Sequence, residues 1–149
     1  MPAQKDLDKT YLKMAETWSQ LSKAKRKKVG CLIVKEGAII SDGYNGTPSG
    51  FDNNCENIID LNLNHNFVNN LKTKPEVIHA ESNAITKLAK STQSSKGATM
   101  YITISPCIEC SKLIIQSGIK RVVYYEKYRN LEGVNLLNKS GIEVFGFKI

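Results

Sequence analysis

The chain has 149 residues with 41% hydrophobic content, which suits one globular domain with a core of its own. No run approaches the roughly 18 apolar residues of a membrane-crossing helix, and residues 1–7 carry no apolar signal region, so a cytoplasmic protein (host cytoplasm if viral) is expected. The net charge is +7, and Lys23, Lys25, Arg26, Lys27 and Lys28 place five positive charges within six positions: one local patch and not a stripe along the fold, suited to a phosphate, a nucleic-acid contact or simply a solvated turn.

Leu7, Tyr11, Met14, Ala15, Trp18 and Leu21 recur at helical spacing, so residues 6–22 read as an amphipathic helix packed on the core, with Asp6 or Asp8 as its cap. Residues 29–34 and 38–41 are short apolar runs on either side of Lys35-Glu36-Gly37, the signature of a β-hairpin. Residues 44–78 are rich in Asn, Gly, Ser and Pro and form a loop-rich insertion, and long loops in compact domains are often functional. Helical periodicity returns at His79, with Ala80, Ala84, Ile85, Leu88 and Ala89 on the buried side. A strand over 98–104, a helix over 107–117 ended by Gly118, a strand over 120–125, a short helix over 134–139 and a strand over 142–147 complete the chain. Strands alternating with helices demand crossovers, so the last three strands run parallel. The fold class expected is a single α/β domain over 1–149, a three-layer α/β/α sandwich with a five-stranded mixed sheet.

His79-Ala80-Glu81 and Pro106-Cys107-Ile108-Glu109-Cys110 are the chemically loaded segments. Imidazole nitrogen and thiolate sulfur suit zinc, and three protein ligands leave a fourth tetrahedral position open. His79, Cys107 and Cys110 are the candidate ligands, one zinc per subunit. Glu81 lies two residues past His79, close enough to handle protons beside the metal without joining it. Both ligand pairs fall at helix starts, where the positive end of the helix dipole favours thiolate over thiol. Two cysteines committed to a metal fit a reducing compartment. Cys31 reads as core, and Cys55 as a free thiol or a small buried residue.

The pair of motifs is similar to the signature of zinc nucleobase deaminases. Gly43-Tyr44-Asn45-Gly46-Thr47-Pro48-Ser49-Gly50, His79-Ala80-Glu81-Ser82-Asn83-Ala84-Ile85 and Ser105 to Ile115 narrow the resemblance to deoxycytidylate (dCMP) deaminases of the short, phage type, over about residues 10–147. That resemblance implies a cytidine-deaminase-like fold and hydrolysis of dCMP to dUMP and ammonia, supplying dUMP for thymidylate synthesis. It implies that Glu81 moves protons and that hydroxide attacks C4. The Ala80 N–H would bind the base O2, the Ser105 carbonyl the 4-amino group, and Asn45 the 3′-hydroxyl. Read without the resemblance, Asn45 is a turn former in a Gly-rich loop. Arg26 is the candidate for the 5′-phosphate, with Lys28 as competitor and a hydroxyl added by Tyr125.

The resemblance further implies a homo-oligomer, commonly a hexamer, activated by dCTP and inhibited by dTTP at a second site that involves Tyr44, Asn45, Gly46 and Gly50. The run Leu113-Ile114-Ile115 spans more than one helix face and fits an interface. Some relatives hold a second, structural zinc in the insertion. Here Cys55 and His65 are too few for one. A tRNA adenosine deaminase, or a nucleotide-binding member without turnover, are the rival readings. The local basicity speaks against the first, and the intact Glu81 against the second.

Overall fold

The computed structural model describes residues 1–59 and 70–147. The element order is α1 (Gln4–Ser19), β1 (Gly30–Lys35), β2 (Ala38–Tyr44), β3 (Glu56–Ile58), β4 (Leu71–Thr73), α2 (Ala80–Ala89), β5 (Thr99–Ile104), α3 (Ile108–Gln116), β6 (Arg121–Glu126), α4 (Glu132–Lys139) and β7 (Glu143–Gly146). The five-stranded sheet runs β2-β1-β5-β6-β7. β1 and β2 form the expected antiparallel hairpin, with a register shift between Ile33 and Val34. β5, β6 and β7 run parallel, as the intervening helices require.

Side chains alternate across the sheet and sort into two cores. Cys31, Ile33, Met100, Ile102, Val122 and Tyr124 pack under α2, α3 and α4 with Ala84, Leu88, Ile114 and Leu137. Leu32, Val34, Tyr101 and Val123 pack on the other face with Leu12 and Ala15 of α1. The result is the three-layer sandwich. Cys31 is core, as expected. No helix among the described residues is long and apolar enough to cross a membrane.

The first helix departs from expectation twice. Its N-cap is Ala3, with no side-chain cap, so neither Asp6 nor Asp8 serves. Its buried face is Asp8, Leu12, Ala15 and Ser19, while Met14, Trp18 and Leu21 stand exposed. The physical reason is Asp8. Its carboxylate accepts both arms of the Arg121 guanidinium at 2.7 Å each, the Tyr101 hydroxyl at 2.7 Å and the Gln4 amide at 2.9 Å. Satisfied this fully, the carboxylate can sit against the sheet, and it turns the helix so that Asp8 and Ser19 share the buried face with Leu12 and Ala15.

The insertion is less loop-like than its composition suggests. β2 runs on to Tyr44, and β3 pairs with β4 in a small antiparallel ribbon, Glu56 opposite Thr73 and Ile58 opposite Leu71. Gly46 bridges to Ile78 through two main-chain hydrogen bonds, tying the loop after β2 to the start of α2.

Candidate active site

The site forms at the carboxyl ends of β5 and β6, where open α/β sheets bind ligands. His79 is the N-cap of α2, with Ala80 and Glu81 as its first two helical residues. Cys107 is the N-cap of α3 and Cys110 its third residue. The two N-caps thus sit one position earlier than a first-turn assignment, and both helix starts converge on one point. Gly43 permits this approach: a Cβ there would lie 2.4 Å from the Ala80 carbonyl oxygen and 2.7 Å from the Ala84 nitrogen.

His79 Nδ1 lies 3.6 Å from Cys107 Sγ and 3.3 Å from Cys110 Sγ. Ordinary zinc–nitrogen and zinc–sulfur bonds at a tetrahedral angle place those atoms about 3.6 Å apart, so the donor set fits zinc. Among the described residues this is the one cluster of three His, Cys, Asp or Glu with donor atoms this close. His79 is exposed, Cys107 partly so, and Cys110 buried, which leaves one side of the cluster open. The three side chains shift one another's proton affinities. The hydrogen bond from Cys110 and the nearby imidazole pull the Cys107 thiol well down, and the same bond, with burial, pushes Cys110 up. His79 is raised by its bond to Cys107. The Ser82 hydroxyl lies 3.7 Å from Cys110 Sγ.

Glu81 is 4% exposed. Burial raises its carboxyl from 4.5 to about 7, against the lowering effect of its main-chain bond and of His79. A carboxyl near neutrality can both take and give a proton.

A cavity of about 400 Å³ opens over this cluster, within the range of small-molecule sites. His79, Ala80, Glu81 and Cys107 line it together with Ser105 and Asn45, and Arg26 and Lys27 line it as cations. Seven of the residues singled out in the sequence, Arg26, Asn45, His79, Ala80, Glu81, Ser105 and Cys107, therefore meet in one cavity. Cys110 stands behind them.

Two expectations change. Tyr125 does not line the cavity. Strand alternation turns it to the α1 side, where it packs with the second core and stacks edge-on against Phe147. Tyr128, three residues on, lines the cavity instead, its N–H bonded to the Ser105 hydroxyl at 2.7 Å. Lys28 is exposed and outside the lining, whereas Lys27 is within it and pairs with Glu126 at 2.5 Å.

Asn45 is more occupied than expected. Its amide oxygen accepts the Val29 N–H and its nitrogen donates to the Lys27 carbonyl, each at 2.8 Å. One N–H and one lone pair remain for a ligand. The amide thus braces the basic loop, and Asn45 also lines the cavity. Sequence reasoning missed Glu56 and Thr73, which also line the cavity from β3 and β4. Three-residue strands offer no periodicity from which to find them. Cys55 is a free, buried thiol in the same wall, raised by burial and by the Glu56 charge. His65 lies outside the described residues.

Residues 5–126 match the family model for the cytidine and deoxycytidylate deaminase zinc-binding region. The chain is 38% identical to the deoxycytidylate deaminase of Enterobacteria phage T4, over 91% of this chain and 87% of that one. It is 37% identical to the human deoxycytidylate deaminase, over 89% and 74%. It superposes on the dCMP deaminase of cyanophage S-TIM5, solved with dCMP and dUMP, with a TM-score of 0.84 and 42% identity over 99% of this chain and all of that one. A tRNA:A34 deaminase superposes at a TM-score of 0.58 with 20% identity, a likeness of fold alone.

Proposed function

The chain belongs to the deoxycytidylate deaminase family, and from that premise we infer how its residues carry out the reaction. It is a zinc-dependent hydrolase that converts dCMP and water to dUMP and ammonia. The observation that carries this reading is the buried Glu81 beside the His79, Cys107 and Cys110 cluster, in a cavity that Arg26 and Lys27 also line. Loss of dCMP absorbance on incubation with the zinc-loaded protein tests it, and no turnover of dCMP would overturn it.

His79, Cys107 and Cys110 would hold the zinc. The ion, when bound, supplies a water acidified enough to attack carbon at neutral pH. The rest falls to the chain. Glu81 takes the proton from the attacking water and delivers it to N3 of the pyrimidine. It then takes the second proton and gives it to the departing amine as the C4–N bond breaks. Its burial keeps bulk water from competing for those protons. The Ala80 N–H, at the first position of α2, has no intrahelical acceptor and suits the base O2. The Ser105 carbonyl accepts from the 4-amino group, in a turn braced by the Ser105 N–H to the Glu126 carbonyl at 2.8 Å. The remaining valences of Asn45 hold the sugar hydroxyl. Arg26, joined by Lys27, neutralises the 5′-phosphate at the exposed end.

Assembly and regulation extend the proposal. A homo-oligomer, commonly a hexamer in this family, is supported by exposed Met14 and Trp18 on α1, by Leu21 in the turn after it and by exposed Leu113 on α3. Ile114 of the same α3 run is core, and Ile115 packs partly against it. A second hollow of about 170 Å³ lies behind the Tyr44 to Gly50 loop, lined by Leu21, Lys23, Tyr44, Gly46, Thr47 and Asn53 among others. By itself it is smaller than ordinary small-molecule sites, so the effector site for dCTP and dTTP would be completed at that loop by a subunit interface. Asn45 and Cys55 line both this hollow and the catalytic cavity, which gives the two sites a shared wall.

A further inference from the structure

The deamination chemistry uses no residue of the β3–β4 ribbon, yet the ribbon supplies the cavity with a buried carboxylate. Glu56 is 4% exposed. Its Oε2 accepts the Lys25 N–H at 2.9 Å and the Arg26 N–H at 3.1 Å. Its Oε1 has no hydrogen-bond partner among the described residues. A buried carboxylate is costly unless it meets donors or positive charge, and here both come from one loop. Directly across the ribbon from Glu56 stands Thr73, and directly opposed residues share a face. The Thr73 hydroxyl accepts from Arg26 Nη1 at 3.4 Å. Paired positions of the ribbon thus hold the same arginine, one by its main chain and the other by its side chain.

We propose that the β3–β4 ribbon is a positioning device for the substrate's phosphate: Glu56 fixes the main chain of the basic loop, and Thr73 aims the Arg26 guanidinium at the cavity. The proposal rests on the reading of that cavity as the dCMP site. Asn45 secures the other end of the loop through Lys27 and Val29, so residues 25–29 are held at four main-chain atoms. Surface loops rich in lysine are ordinarily mobile. A loop ordered beforehand binds its anion without the entropic cost of ordering. Glu56 also occupies the Lys25 and Arg26 N–H groups, so phosphate must be met by side chains. Lys27 lines the cavity too, but its side chain has no bond to the ribbon and pairs with Glu126 at the surface, so Arg26 is the phosphate contact that the ribbon controls. Glu56 and Thr73 are therefore positioning residues that act through it.

The test is steady-state kinetics of Glu56→Ala, Glu56→Gln and Thr73→Val on dCMP and on deoxycytidine, with zinc content measured for each. Inhibition by dUMP and by deoxyuridine gives a binding readout. Glu56→Ala should raise the KM for dCMP and the inhibition constant of dUMP by roughly 10- to 100-fold, the worth of two charge-assisted hydrogen bonds. The corresponding losses on deoxycytidine and deoxyuridine should be at least about tenfold smaller. Glu56→Gln keeps the acceptor and removes a negative charge near the phosphate, so it should restore dCMP binding to within about threefold of the parent or better. Thr73→Val should cost dCMP a few-fold, the worth of one neutral hydrogen bond. Equal losses on nucleotide and nucleoside would overturn the proposal, as would Glu56→Gln being as impaired as Glu56→Ala. If Glu56→Ala fails to hold zinc, Thr73→Val decides, and an unchanged KM for dCMP there overturns it. Failure of the parent protein to turn over dCMP would sink the substrate reading itself, a result distinct from any of these.

Discussion

Removing the Asp8 carboxylate should destabilise the whole domain, because Asp8 is the polar pin between α1 and the sheet. Asp8 is 2% exposed and accepts four hydrogen bonds of 2.7–2.9 Å, from Arg121 twice, Tyr101 and Gln4. Asp8→Ala leaves the Arg121 guanidinium, whose side chain is only 15% exposed, with just the exposed Glu143 carboxylate at 3.5 Å, and it strands the buried Tyr101 hydroxyl. Breaking a buried ion pair by deleting one partner costs about 3–5 kcal/mol. At roughly 2–4 °C per kcal/mol for a chain of this size, the melting temperature should fall by roughly 6–20 °C. Asp8→Asn keeps the volume and one acceptor and should lose roughly half as much.

The acid limb supplies an independent check. Burial alone would raise the Asp8 carboxyl, but the bonds from Arg121, Tyr101 and Gln4 outweigh it and hold the group below 3.8. A depressed carboxyl contributes stability that is present above its unfolded value and lost as pH falls through its folded value. The gap between the parent and Asp8→Asn should therefore be constant above pH 3.8 and shrink below it. Urea unfolding at fixed protein concentration, followed by far-UV circular dichroism across pH, measures both effects. A cost under about 1 kcal/mol for Asp8→Ala at pH 7, or a gap that widens in acid, would refute the reasoning.

Other outcomes follow from the site. Glu81→Gln preserves shape but cannot move protons, so it should keep its zinc by metal analysis and lose turnover by about 10⁴-fold or more, at ~10²–10⁴ for each proton transfer; near-normal turnover would reject its role. Arg26→Ala should weaken dCMP far more than deoxycytidine in kcat/KM, and equal losses on both would make Arg26 structural. Light scattering at micromolar concentration, with and without dCTP, should show a mass several times 16.6 kDa, and 16.6 kDa in both conditions would refute assembly through the exposed face of α1.

The metal ligands were legible in the sequence because their spacing is local. His79 with Glu81, and Cys107 with Cys110, each lie within one helical turn, and helix starts after strands fix where they point. Strand order was legible because crossovers leave few alternatives. The face of α1 was legible only in part: Tyr11 and Ala15 pack on the second core as read, but Met14, Trp18 and Leu21 do not. Periodicity locates an apolar stripe without saying what covers it, and here the buried stripe holds Asp8 and Ser19 while Trp18 stands out. Tyr125 was misplaced because one step along a strand reverses the side chain, and the strand runs one residue further, to Glu126. Glu56 and Thr73 were invisible because their meeting with Arg26 depends on a ribbon of three-residue strands and on contacts 30 and 47 positions apart in sequence.

The two halves of the cavity are therefore fixed by different physics. The metal half is set by packing. α2 seats against β2 at Gly43, and α4 presses on the ligand turn so closely that a Cβ on Gly133 would lie 2.2 Å from the Pro106 carbonyl oxygen. Ala80, Ala84 and Ile114, behind the ligands, are fully buried, so moving a ligand means moving the core. The nucleotide half hangs on hydrogen bonds made by Asn45, Glu56 and Thr73 to a surface loop. Packing errors spread through a domain, whereas a lost hydrogen bond on a loop stays local. Changes at the metal half should therefore fall on zinc retention and folding, and changes at the nucleotide half on KM.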